Sequence, residues 1–379
     1  MSELKVLREH ELQDKVGLFV GTRPGIIKFS PLMRELQKRG RDFFVIHTGQ
    51  HYSYDMDKIF FDELELPEPK HKFLDVAESS THGGQTAKML AHSEQALLKE
   101  KPKIVLVCGD ANTNLAGALA ARKLHIMVGH VESGLRSDDW RMPEEHNRVM
   151  IDHISELLFA PTEDAKKNLI EDNVKGKIFV TGNTIVDAVE QNLVIAKRKS
   201  TVLENLNLTP KKYFLLTLHR EESVDFKENL ESILNGIKLV SENYDCKIIF
   251  PSHPRTTKTL KYFKLDSFVS KIKNLEIINP LGYLDFLMLL SSCQLVLTDS
   301  GGIQEESCIL GVPCVTLRQN TERPETIETG ANYIAGTEPE SILKGTQIML
   351  NKASDWSNPF GKNASQKIID IVENTLLER

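Results

Sequence analysis

The chain has 379 residues, of which 40% are hydrophobic and 26% charged; this is ordinary for a globular protein, and the length exceeds the usual span of one hydrophobic core, so two domains are expected. A formal net charge of -6, with no basic tail or run of Lys and Arg, excludes a nucleic-acid partner held by backbone charge, and no stretch approaches the roughly 18 apolar residues of a membrane span. The polar opening "MSELKVLREHELQDK" lacks the apolar core of a secretory signal, and Cys108, Cys246, Cys293, Cys308 and Cys314 form no CxxC or ligand-like cluster, so the expectation is a cytoplasmic protein with buried thiols and no metal site.

From Val16 onward, strand-like runs alternate with amphipathic helical stretches, the pattern of parallel βαβ units. The first unit is "VGLFV", a turn at Gly21, and a helix with Pro24 in its first turn, Leu32 and Leu36 on one face and Gly40 as its stop. "FFVIH", "IVLVC", "IMVGHV", "ELLFAP" and "KIFVTGNT" continue the series. A Lys-rich and then polar stretch follows, and a second series runs through "YFLLTL", "CKIIFP", "LEII", "LVLT" and "PCVTL". The expected domains are residues 1–185 and 186–362, with a final amphipathic helix over 363–379 packing back on the first. No solenoid repeat or low-complexity segment appears. The fold class expected is α/β, two Rossmann-like domains facing across a cleft.

Many of these strands end in polar residues, and in open parallel sheets ligands bind at the carboxyl ends of the strands. "LVLTDSGGIQEES" runs a strand through Ser300, Gly301 and Gly302 into a helix, presenting backbone N–H groups and the positive end of the helix dipole to a phosphate. An ordinary glycine turn reads the same locally. The segment is neither a Walker A motif nor a GxGxxG. Glu306, about one turn on, could accept from ribose hydroxyls or be a solvated Glu. In the first domain, "GTRPGIIK" places Arg23 to grip a diphosphate with its fork and Lys28 to add a point charge. Arg323 in "NTERPET" adds a third local cation.

Asp110 and Glu132 end two strands and Glu144 opens a helix behind Pro143, so carboxylates with different environments could serve as acid and base on opposite faces of a substrate. For Glu144 a helix N-terminus and an i,i+4 pair with Arg148 are the structural alternatives. His219 and His253 stand at strand ends of the second domain, where a protonated imidazole could neutralise a departing diphosphate. His51, His82, His130 and His146 fall in no HExxH or HxxEH spacing. No GxSxG elbow supports a serine hydrolase.

Taken together, "GTRPGIIKFSPL", "TGQH", "CGDANTNLAGALAA", "GHVESGLRS", "MPEEHNR", "FVTGNTIVDA", "LHREES", "TDSGGIQEES" and "NTERPET" make the chain resemble the non-hydrolysing UDP-N-acetylglucosamine 2-epimerases over nearly its whole length after Val16. The resemblance implies a GT-B-like fold, as in two-domain nucleotide-sugar glycosyltransferases. It implies reversible C-2 epimerisation of a UDP-sugar by elimination of UDP and its re-addition to a 2-acetamidoglucal, with no cofactor and no metal, in a homodimer. By position, it makes Asp110, Glu132, Glu144 and His219 catalytic. Arg23, Lys28, Arg148, His253, Ser300, Gly301, Gly302, Glu306 and Arg323 become substrate-binding. UDP-N-acetylglucosamine is the substrate expected. A 6-deoxy or 2,3-diacetamido relative of that sugar, a GT-B-type glycosyltransferase activity and a non-catalytic sugar sensor are the other readings. Three positions depart from the family pattern: Gly25 stands for the usual Glu, His219-Arg220-Glu221-Glu222 for His-Arg-Arg-Glu, and Gly84 for an Arg before Gln85. The last implies regulation unlike that of bacterial members controlled by a second UDP-sugar.

Overall fold

The structure is a computed structural model and describes residues 6–50 and 54–378. His51 of "TGQH" lies outside the described residues. The chain divides into two compact units, Met1–Gln191 with Phe360–Arg379, and Asn192–Pro359. The first division falls inside a continuous helix, Thr184–Lys199, where no Gly or Pro marks a boundary.

The first unit holds seven parallel strands: β1 (Gln13–Val20), β2 (Phe43–His47), β3 (His71–Lys72), β4 (Pro102–Cys108), β5 (Met127–Val131), β6 (Leu157–Ala160) and β7 (Lys177–Val180). Their order is β3-β2-β1-β4-β5-β6-β7, with β1 in the interior and registered through Leu18 to Val45 on one side and Leu106 on the other. The strands are nearly unbroken apolar runs because helices cover both faces of a parallel sheet. On one face Phe19, Phe44, Ile46, Val105 and Val107 pack against Ala116, Ala120 and Ala121 of the helix Asn112–Lys123.

The second unit holds β8 (Tyr213–Thr217), β9 (Lys247–Pro251), β10 (Leu275–Ile278), β11 (Leu295–Thr298), β12 (Cys314–Thr316) and β13 (Asn332–Ile334), ordered β10-β9-β8-β11-β12-β13. Strand alternation separates two cores. Phe214, Leu216, Ile248 and Phe250 face the helix Lys227–Asn243 through Leu230, Ile233 and Ile237, whereas Tyr213, Leu215, Ile249 and Val296 face Leu289 and Leu290. Both sheets therefore carry the Rossmann order, with switch points between β1 and β4 and between β8 and β11.

The helix Arg23–Lys38 starts at N-cap Thr22, whose Oγ1 accepts from the Gly25 N–H at 3.3 Å, and carries Pro24 in its first turn. The C-terminal helix Ala364–Leu377 belongs to the first unit. Arg39 bonds Asp370 and Glu373 on it, each at 2.7 Å, and the Ser365 N–H donates to buried Asp187 at 2.7 Å. All five thiols are unpaired, and burial pushes Cys293 and Cys314 up to about 12. No helix among the described residues is long and apolar enough to cross a membrane.

Gly21 sits at the first switch point, directly after β1. A Cβ there would lie 2.1 Å from both Thr48 Oγ1 and Thr113 Oγ1, which bond each other at 2.7 Å in the interior. Because neither stiff threonine can retreat without breaking that bond, Gly21→Ala should cost about 1–3 kcal/mol, read as a lowered urea midpoint. An unchanged midpoint would mean that the turn has slack.

Candidate active site

At the first switch point β4 runs into Gly109, whose φ of +74° is open to glycine at little cost. Its N–H donates to Val131 O at 3.0 Å, and its carbonyl lies 3.1 Å from His130 Nε2. Asp110 follows, about a third exposed at its side chain. The helix Pro143–Ile154 holds it twice: Arg148 Nη2 bonds its carboxylate, and Asn147 Nδ2 donates to its carbonyl at 2.8 Å. Arg148 also donates to Glu145 at 2.8 Å. The i,i+4 pair between Glu144 and Arg148 weighed from the sequence is thus not formed, because Arg148 is taken by Glu145 one residue nearer and by Asp110. Glu145 is buried and accepts from Ser137 N–H and Oγ at 3.0 and 2.8 Å, so it fastens the loop behind β5. Glu144 is half-buried on the same helix.

Glu132 directly follows β5 with φ +66°, a left-handed conformation that a non-glycine residue adopts at a cost of about 1 kcal/mol or more. It is 7% exposed. Lys28 Nζ, from the first helix, lies 2.6 Å from both carboxylate oxygens, and Asn183 Nδ2 donates to Oε1 at 3.3 Å. A Cβ on Gly109 would stand 3.2 Å from Glu132 Oε2, so the carboxylate reaches the turn that carries Asp110. Buried Asp152 supports this arrangement from behind, with its oxygens 2.7 Å from His130 Nδ1 and 2.8 Å from Arg136 Nη2. His130 therefore ties the β5 chain to the Gly109 turn.

Arg23 lies beside Asp57, with Nε 3.4 Å from Oδ1 and its guanidinium 4.8 Å from the Phe60 ring centroid. Asp57 is fully buried and also meets His47 Nε2 at 3.1 Å. Of the other histidines, His82 Nδ1 accepts from Asn112 at 3.1 Å and His146 Nε2 donates to Trp140 O at 2.8 Å.

At the second switch point, Ser300 is the N-cap of the helix Gly301–Ile309. Its N–H donates to Thr298 Oγ1 at 3.0 Å, so the donors left at the tip belong to the first helical turn. Nothing lies within 4 Å of where a Cβ on Gly302 would be. Beside Gly301, a Cβ would meet Glu322 Oε2 at 3.5 Å and Arg220 Nη2 at 3.8 Å. The hydrogen bond from Arg318 holds Glu322 at about 2, against its partial burial. Glu306 is 8% exposed and accepts from the Tyr283 hydroxyl at 3.1 Å, which excludes the solvated reading of that residue. Arg323 pairs with buried Glu305 at 2.7 Å and donates to Glu322 O at 2.9 Å.

His219 follows β8, and Asp299 follows β11 on the adjacent strand. Asp299 Oδ2 accepts from the backbone N–H groups of His219 and Arg220, each at 2.9 Å, and Oδ1 lies 3.1 Å from His219 Nδ1. Burial works against the Asp299 charge, yet the neighbouring His219 ring and the two amides hold its carboxyl below the ordinary range. His253 caps the helix Pro254–Tyr262 by accepting the Arg255 N–H on Nδ1 at 3.2 Å. Its ring centroid is 5.9 Å from that of His219.

The structure thus gathers Asp110 with Arg148, Glu132 with Lys28, and His219 with His253. Asp57, Asp152, Glu305 and Arg318 were not singled out as site residues from the sequence, since each is identified only by the partner that folding brings to it, and Asp299 shows there only as one more polar residue at a strand end. A separate cavity of about 550 Å³ lies at the amino ends of β5, β6 and β7, lined by Arg122, Met127, Leu157 and Lys177. It contains none of the candidate residues.

Fold and site define a two-domain, GT-B-like α/β protein whose strand ends carry carboxylates in one unit and a helix begun by Gly301 and Gly302 in the other. The model of the UDP-N-acetylglucosamine 2-epimerase family matches residues 34–373, and the chain belongs to that family. It is 56% identical over 362 residues to the UDP-N-acetylglucosamine 2-epimerase of Methanocaldococcus jannaschii, covering 94% of this chain and 98% of the relative. A crystal structure of the M. jannaschii enzyme in complex with UDP-GlcNAc and UDP has a TM-score of 0.85 at 56% identity and covers 95% of this chain and 99% of that one. The UDP-2,3-diacetamido-2,3-dideoxy-D-glucuronate 2-epimerase of Pseudomonas aeruginosa is 37% identical, covering 94% of this chain and 99% of its own.

Breaking a buried ion pair from one side leaves a charge without compensation and costs about 3–5 kcal/mol. Lys28→Met should destabilise the protein by about that much, and adding Glu132→Gln should recover most of the loss. Simple additivity of the two substitutions in a double-mutant cycle would show that they do not act as a pair.

Proposed function

We propose that the protein catalyses reversible C-2 epimerisation of UDP-N-acetylglucosamine to UDP-N-acetylmannosamine. The observation that carries this reading is the pair of carboxylates on adjacent strand ends, Asp110 under Arg148 and Glu132 under Lys28. Their surroundings differ in exposure and in partner, as one acid and one base require. In the proposed reaction a carboxylate takes the C-2 proton while the bond between C-1 and the diphosphate oxygen breaks, giving UDP and 2-acetamidoglucal. A second group then protonates C-2 on the opposite face as UDP adds back to C-1. Atoms and charge balance without an external electron donor or acceptor.

Asp110, Glu132, Glu144 and His219 are the groups assigned to this chemistry. The tip of the Gly301–Ile309 helix, with Ser300, Gly301 and Gly302, would receive the diphosphate charge, and Glu306 a ribose hydroxyl. Arg23, Lys28, Arg148, His253 and Arg323 complete the polar surroundings, and Arg23 would leave Asp57 to meet an anion. The reading also takes the enzyme to be cytoplasmic and homodimeric.

A second reading keeps the chemistry and changes the sugar. It is supported by the P. aeruginosa relative, named for a diacetamido UDP-sugar acid, since contacts to diphosphate and ribose do not read C-3 or C-6. The higher identity to the M. jannaschii enzyme, 56% against 37%, favours UDP-N-acetylglucosamine.

The test is proton NMR of the purified protein with UDP-N-acetylglucosamine in deuterated water. Deuterium at C-2 together with UDP-N-acetylmannosamine signals is expected. Absence of both with this substrate, but exchange with a diacetamido sugar, would select the second reading, and exchange with neither would overturn epimerisation. Asp110→Asn should lower turnover about 10²–10⁴-fold with UDP binding retained in titration calorimetry. Full activity would remove Asp110 from the mechanism.

A further inference from the structure

We propose that Asp299 is a positioning residue that fixes the tautomer and direction of the His219 ring. The proposal deepens the reading above, on which the catalytic role of His219 rests, but its geometry stands within one unit. Asp299 is fully buried at the end of β11, beside the end of β8 where His219 begins its turn. One carboxylate oxygen, Oδ2, is occupied by the N–H groups of His219 and Arg220. Those two bonds account for the shape of the turn. The other oxygen, Oδ1, lies 3.1 Å from Nδ1 of the same histidine.

Oδ1 has no hydrogen bond in line with it, so this contact is one of distance and charge; because a carboxylate can only accept, a proton on Nδ1 is the one the contact favours. Nε2 is then the ring nitrogen left to meet a substrate, on a side chain that retains 38% of its surface. This is the orienting logic by which a buried carboxylate behind a histidine selects which ring nitrogen meets the substrate. The same aspartate immediately precedes Ser300 and the helix tip. One residue therefore sets the imidazole and starts the turn proposed to receive the diphosphate.

A purely structural role would require only the two amide bonds on Oδ2. Asp299→Asn separates the roles, because its amide oxygen can keep both backbone N–H groups while its NH₂ faces Nδ1. That arrangement makes Nδ1 an acceptor and moves the ring proton to Nε2. The decisive readout is heteronuclear NMR of the histidine ring nitrogens in mildly alkaline solution, with the His219 signal assigned by its loss in His219→Gln. The wild-type ring should carry its proton on Nδ1, and the Asp299→Asn ring on Nε2. In turnover, Asp299→Asn should lose about 10²–10³-fold in kcat, with a much smaller change in KM and in UDP affinity. Asp299→Glu, which restores an acceptor, should recover part of kcat.

A wild-type His219 protonated on Nε2 would overturn the proposal even if Asp299→Asn did not fold. So would wild-type kcat in a folded Asp299→Asn. Loss of UDP affinity in parallel with kcat, with the tautomer unchanged, would assign Asp299 to the turn alone and also overturn it. Failure of the wild-type protein to exchange the C-2 proton is a different result: it would remove the epimerase reading, while the tautomer measurement would still decide the pairing.

Discussion

A carboxylate buried at the end of a parallel strand has to be compensated, and that constraint organises this molecule. Glu132 lies in a left-handed backbone conformation at 7% exposure with Lys28 2.6 Å from both oxygens. Removing its partner would cost more than the net stability that the pair supplies, since desolvation offsets much of the attraction. The first helix must therefore start where it does. Thr22 caps it, Gly21 gives it room against Thr48 and Thr113, and its length carries Lys28 to Glu132. The strain and burial at Glu132 suit the catalytic role proposed for it, since a fixed charge is worth more in such a site than in water.

The same compensation recurs throughout the polar parts of an acidic chain. Each cation assigned from the sequence to substrate meets a carboxylate in this structure or stands on one: Arg23 with Asp57, Lys28 with Glu132, Arg148 with Asp110 and Glu145, and Arg323 with Glu305. A substrate anion entering such surroundings competes with a resident carboxylate for each cation. At the helix tip of Gly301 and Gly302 the groups on offer are backbone dipoles, with Glu322 beside Gly301. In the proposed reaction these are two different means of meeting an anion, side chains that would exchange partners and amides that would not reorganise.

Much of the fold is legible in the sequence because a parallel strand covered on both faces must be apolar almost throughout. "VGLFV", "IVLVC" and "YFLLTL" announce themselves for that reason. β3 (His71–Lys72) and β13 (Asn332–Ile334) do not, since edge strands of two or three residues with polar members show no run or alternation. The unit division inside Thr184–Lys199 is hidden because a continuous helix has no punctuation. The strand-end residues Asp110, Glu132 and His219 are visible by position, whereas their supports are not. Asp299 shows as one more polar strand end but not as the partner of His219, and Asp57 and Asp152 lie within helices. Glu144 and Glu145 look alike beside Pro143, yet only Glu145 turns inward to Ser137, a choice made by the loop it fastens.

In the proposed reaction the bond between the sugar and the diphosphate breaks and re-forms during each epimerisation. This is tested most directly with UDP-N-acetylglucosamine carrying isotopically heavy oxygen in the bridge between C-1 and phosphorus. If UDP departs and returns, rotation of the freed phosphate moves the heavy atom into a non-bridging position in the recovered substrate, visible by phosphorus NMR. Epimerisation at C-2 with the label kept wholly in the bridge, under conditions where the phosphate can rotate, would contradict the account and require direct proton transfer on the intact sugar nucleotide.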